Sequence, residues 1–153
     1  MSDEAWVKGI RDLQDMLNKL GQASLKEGAA ALYQEALIEQ KESMRRTPVD
    51  TGALRASHMT ERPVIVEREA TVRIVVGGPA GEKFLSFAKK KGGAVNNPQG
   101  YAFYVHENLD ADHKVGQAKY LESTVKESAP FLPGRIAKRM QMRNIVNALR
   151  KKK

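Results

Sequence analysis

A chain of 153 residues suffices for one domain with a real core and is too short for two comfortable ones. Its 41% apolar and 29% charged residues imply a modest core under a polar surface, and the lack of cysteine excludes disulfides, thiolate metal sites and a Cys nucleophile. The net charge of +8 is carried by residues 134–153, where Arg135, Lys138, Arg139, Arg143, Arg150, Lys151, Lys152 and Lys153 stand without an acidic residue; the basicity belongs to a tail.

The start, MSDEAWVKGI, has no apolar run long enough for a signal peptide or a membrane span, so a soluble chain made without an export signal is expected. Trp6, Ile10, Leu13, Leu17 and Leu20 recur at spacings of 4, 3, 4 and 3, one stripe of a helix that Val7 and Met16 widen. Ser2 or Asp3 can cap that helix and Gly21 is expected to end it. A second, longer helix is predicted from Ala23 to Arg46, with Leu25, Ala29, Leu32 and Ala36 on one face. Pro48 stops it at Thr47, and TPVDTGALRASH reads as a corner. In it Asp50 can cap a short helical turn, Leu54 points inward, and Arg55 is free to find a carboxylate.

Two strands follow, His58 to Arg68 and Ala70 to Val76. Pro63 demands an edge or a bulge in the first, Glu67-Arg68-Glu69 makes the turn, and Val72, Ile74 and Val76 share a face of the second. Residues 77–100 hold six Gly, two Pro and the run Lys89-Lys90-Lys91, a long excursion whose Phe84, Leu85 and Phe87 suit burial against another subunit. Tyr101 to His106 is predicted as a strand, Gln117 to Ser128 as a helix broken by Pro130 and Pro133, and Arg135 to Leu149 as a last helix in an arm that leaves the body.

The densest group of metal-ligand residue types is His106, Glu107, Asp110, Asp112 and His113. His113 comes seven positions after His106, so the HExxH spacing that sets two imidazoles on one helical face is missing, and a hydrogen-bonded loop is the better reading. No phosphate-binding GxxxxGK[ST] and no GxSxG elbow occur, and Ser57, His58 and Asp50 lie on too cramped a corner for a triad. No catalytic residue, metal or cofactor is expected. The basic arm could follow a phosphate backbone, but it lacks aromatic residues for stacking on single strands.

The corner Pro48, Asp50, Thr51, Gly52, Leu54 and Arg55, then Tyr101, Tyr104, His106 and Glu107, then His113, Gly116, Gln117, Lys119 and Leu121, together resemble the minor capsid or tail-completion (neck) proteins of tailed bacteriophages. The resemblance spans roughly residues 23–132, and the order and spacing of the two motifs carry it. His106-Glu107-Asn108-Leu109 stands where many members have Glu, an aromatic and Gly-Thr. The resemblance implies assembly without catalysis: a homo-oligomeric ring, a hexamer or dodecamer, between the connector and the tail tube. Other neck and tail-tube proteins would be its partners, in the virion after assembly in the host cytoplasm. The basic residues from Arg135 to Lys153 would meet an acidic neighbour or the DNA in the channel.

The expected architecture is α+β: N-terminal helices packed on a small antiparallel sheet in a domain of residues 1–133, with its long loop at 77–100, and a helical basic arm at 134–153. The competing reading is a DNA-binding accessory protein that uses that arm.

Overall fold

One helix, α1 (Asp3–Arg46), runs unbroken for 44 residues in the computed structural model, which describes residues 3–49, 52–77, 98–110 and 114–150. At 1.5 Å per residue it is roughly 66 Å long. The expected stop at Gly21 does not occur. A mid-helix glycine costs about 1 kcal/mol relative to alanine, and Leu17, Lys19 and Leu20 before it and Gln22, Ala23 and Leu25 after it favour helix. Pro48 ends α1 as expected. The corner then turns at Gly52, whose φ of 79° needs no Cβ, into α2 (Ala53–Ala56), which buries Leu54.

The antiparallel strands form one hairpin with a flaw in it. At its base β1 (Met59–Thr60) pairs with β4 (Ile74–Val75), Thr60 opposite Ile74; at its tip β2 (Val64–Val66) pairs with β3 (Glu69–Thr71), Val64 opposite Thr71. Between these pairings the outgoing chain has residues 61–63 and the returning chain only 72 and 73. The extra residue is a bulge at Pro63, as that proline demanded. Glu67 and Arg68 form the turn, Glu67 at φ 52°.

Tyr101 to His106 is not a strand. It belongs to α3 (Pro98–Glu107), which buries Ala102 and Val105 while Phe103 and Tyr104 stay exposed. The alternation of Tyr101, Phe103 and Val105 suggested a pleat, but the spacing that meets the core is three, from Ala102 to Val105. Packing overrides the β-preference of the aromatic residues. The core comprises Leu54, Ala102, Val105 and Tyr120, with Val76, Tyr101 and Leu121 packed against it.

The C-terminal third is three helices: α4 (Tyr120–Ser128), α5 (Leu132–Arg139) and α6 (Met142–Arg150). The predicted helix from Gln117 starts three residues later, because Lys119 sits at φ 54°. That helix ends at Ser128, ahead of Pro130, as expected, and Pro133 lies in the first turn of α5, where its missing N–H is harmless, so it also opens the next helix. The predicted last helix breaks at Met140, whose ψ of 123° is extended. Nor does this segment leave the body: α5 and α6 both pack on α1, and Ile145 is buried. The fold is thus α+β and mostly helical.

Candidate functional site

The corner and the second motif, over sixty residues apart in sequence, close on each other. A Cβ on Gly116 would stand 2.5 Å from the Pro48 nitrogen and 2.6 Å from both Pro48 Cα and the Thr47 carbonyl carbon; the φ of Gly116 is +92°. Only glycine fits there. Two backbone bonds hold the approach: the Gln117 N–H donates to the Arg46 carbonyl at 2.8 Å and the Val49 N–H to the Val115 carbonyl at 3.3 Å. Arg46 adds a two-pronged bond to Glu127, at 2.7 and 2.6 Å, which ties the end of α1 to the end of α4. The same guanidinium, with Arg45, holds the Glu42 carboxyl down at about 2; the bonds from Arg45 weigh most.

Below this contact Tyr120, 1% exposed, lies between two histidines. Its ring is 5.6 Å from that of His58 and 4.9 Å from that of His106, edge-on to the latter, and its hydroxyl donates to the Ala102 carbonyl at 3.1 Å. Burial pushes the Tyr120 phenol upward, so it stays protonated. His106 serves as a cap. Its Nδ1 is 2.8 Å from Glu107 Oε1, and its Nε2 accepts from the Glu122 N–H at 3.4 Å, one of the N–H groups at the start of α4 that have no partner within the helix. His106, Glu107 and Lys119, whose N–H donates to the His106 carbonyl at 2.7 Å and whose ammonium bonds Glu107, act together as the strap from α3 to α4, while Leu121 packs on the core.

His58 is the buried polar centre of the corner, and sequence reading gave it no role beyond the discarded triad. Its Nδ1 lies 3.2 Å from the carbonyls of both Leu54 and Arg55, which places the proton on Nδ1. Its Nε2 lies 3.1 Å from Ser43 Oγ and 3.3 Å from Thr47 Oγ1. Thr47 donates to the Ser43 carbonyl at 2.7 Å, which leaves Ser43 to donate to the ring. Ser57 turns elsewhere: its hydroxyl donates to the Leu54 carbonyl at 2.7 Å and accepts from the Gly77 N–H at 3.0 Å.

Burial lowers the pKa of His58, the carbonyls of Leu54 and Arg55 opposing it in part. The folded protein thus takes up this proton at lower pH than the unfolded chain does. The stabilisation is complete above the ordinary value near 6.5 and is lost as pH falls through the lower, folded value. Urea midpoints should therefore fall between about pH 7 and about pH 5.5, and His58→Gln should flatten that dependence.

Three potential ligands, His106, Glu107 and Glu122, place one donor atom each within 4.8 Å of one another. A cation already sits among them. The Lys119 ammonium bonds Glu107 and lies 3.1 Å from Glu122 Oε2, and the Glu122 carboxyl, paired first with Lys126 and then with Lys119, is held down at about 2. Lys119 likewise lowers the Glu107 carboxyl, with His106 assisting. Both nitrogens of His106 are committed within the fold, so these residues are arranged as a closed ion-pair strap and not as an open coordination site.

The basic arm divides. Arg135 pairs with Glu35 at 2.9 Å and Glu39 at 2.6 Å, and Arg139 pairs with Glu35, which is 0% exposed. Glu27 accepts from Asn144 at 3.0 Å and from the Gln141 N–H at 3.3 Å. Two of the arginines offered for an outside partner thus neutralise buried carboxylates of α1. Lys138, Arg143 and Arg150 are exposed and make no ion pair among the described residues. Arg55, expected to find a carboxylate, donates to the Thr47 carbonyl at 3.0 Å instead and braces the corner. The matched spacing of four, Glu35 to Glu39 and Arg135 to Arg139, was the sequence signal for the latch.

Asp50, Thr51, His113, Lys151, Lys152 and Lys153, with Asp112 and the loop residues 78–97, lie outside the described residues. Among the described residues no helix is long and apolar enough to cross a membrane. Compared with protein-family models, with curated proteins and with solved structures, the chain has no significant match.

Proposed function

We propose that the chain is a structural neck protein of a tailed bacteriophage, one subunit of a ring at the head-to-tail junction that joins or completes the tail. The observation that carries this reading is the stacking of its two motifs: Gly116 against Pro48, and Tyr120 between His58 and His106. Residues that resemble a neck protein's motifs are used here to build a rigid joint. Their polar groups are bonded to one another, with Lys119 closing the carboxylates, which suits a scaffold and offers no open catalytic centre. The joint fixes α1, the hairpin and α4 in one body, and exposed Phe103, Tyr104 and Leu109 on and after α3 leave apolar surface for neighbouring subunits. The ring would lie in the virion, with other neck and tail-tube proteins above and below.

The second reading, a DNA-binding accessory protein, draws on exposed Lys138, Arg143 and Arg150. It is weakened by the loss of Arg135 and Arg139 to α1, which leaves three of the five described basic residues near the chain end to reach phosphate. Titration of duplex DNA at two salt concentrations separates the readings. The neck reading expects weak binding by the free protein. Tight binding by the monomer with a steep salt slope, abolished by changing Lys138, Arg143 and Arg150 together to Gln, would establish the second reading in its place.

A further inference from the structure

Residues 10–22 of α1 are exposed all round, although they include Ile10, Leu13, Met16, Leu17 and Leu20; Leu17 is 54% exposed. Among the described residues the stripe is covered by no other element; only the hairpin tip comes near, where Glu67 and Arg68 line a groove with Leu17 and Gly21. We propose that the stripe is a self-association surface, on which the same stripe of neighbouring copies packs in parallel, one neighbour on each flank. The inference goes beyond the neck reading and stands whether or not the oligomer belongs to a phage.

The occupant follows from the pattern. Apolar residues at alternating spacings of three and four, Ile10, Leu13, Leu17 and Leu20, are the seam that a second helix fills knob into hole. On each side of that seam stand Gln14, Met16 and Gly21, all uncharged, so identical helices in register bring no like charges together there. The charged residues of the segment, Arg11, Asp12, Asp15 and Lys19, fall on the far face.

Area decides the number of neighbours. Residues 10–22 span roughly 20 Å, so a helix contact about 10 Å wide covers about 200 Å² per chain. That is well below the roughly 800 Å² per partner of a stable pair. Contacts on both flanks double it to roughly 400 Å², the size of a weak association that strengthens with concentration, and Met16 gives the stripe the width to serve both. Cyclic symmetry then makes adjacent helices parallel. Since α1 from Ala23 onward packs on the body, the exposed turns extend an existing helix and carry no nucleation cost.

The full chain contains no cysteine, so single cysteines report contacts without background. With a short bismaleimide, Ile10→Cys should crosslink to itself, whereas Asp15→Cys on the far face should not. The double variant Leu13→Glu/Leu17→Glu, changed only at exposed positions, should keep its helicity by circular dichroism and associate roughly tenfold or more weakly by light scattering. Three results overturn the proposal: unchanged association of the double variant, an Ile10→Cys protein that crosslinks only to a Leu20→Cys partner, which means antiparallel pairing, or a wild-type monomer at all soluble concentrations with no Ile10→Cys product.

Discussion

Gly116→Ala is expected to lower stability by roughly 3–5 kcal/mol, enough to leave a protein of ordinary stability largely unfolded. Two costs combine. The positive φ of 92° alone costs an alanine about 1–2 kcal/mol. The new Cβ would also meet Pro48 backbone at 2.5 Å, and backbone cannot swing aside as a flexible side chain does. Gly52→Ala is the matched control: it too sits at positive φ, 79°, but nothing lies within 4 Å of its Cβ position. It should lose only the conformational part, about 1–2 kcal/mol. Denaturant midpoints of the two variants measure the difference. Equal losses would mean that the corner and the second motif do not press together.

Tyr120→Ala should cost about 3–5 kcal/mol, as for other large aromatic deletions from a core. The ring is 1% exposed and supports both histidines, so its loss leaves a cavity at the meeting point of α2, α3 and α4. Tyr120→Phe keeps the ring and removes only the bond to the Ala102 carbonyl, for a loss of about 1 kcal/mol. Thermal midpoints of the pair therefore divide packing from hydrogen bonding. If Phe were as damaging as Ala, the hydroxyl and not the ring would be what holds the joint.

Much of this architecture was legible along the chain, where local chemistry settles local structure. Pro48 ended α1, Gly52 and Leu54 made the corner, and Pro63 forced the bulge, because each acts through its own φ or missing donor. What could not be read depended on partners distant in sequence. Tyr101 to His106 alternates well enough for a strand, and only the burial of Ala102 and Val105 against Tyr120 selects the helix. Gly21 looked like a stop because the cost of one glycine is visible locally, while the helical preference of its surroundings is spread over many residues. The site showed the same division. Gly116 stood out along the chain only as part of the second motif, because its role against Pro48 needs both segments in view. The basic tail read as a free arm because Glu35 and Glu39, buried partners of Arg135 and Arg139, lie about a hundred residues away.

On the proposed reading, the joint, the stripe of α1 left exposed among the described residues and the latched C-terminal helices belong to a subunit that assembles. Electron microscopy of the purified full chain at high concentration, read together with its mass in solution, tests that claim most directly. Closed rings of one subunit number are expected, lost in Leu13→Glu/Leu17→Glu while the subunit stays folded. A folded monomer that forms no ring, and instead binds duplex DNA tightly through Lys138, Arg143 and Arg150, would contradict it.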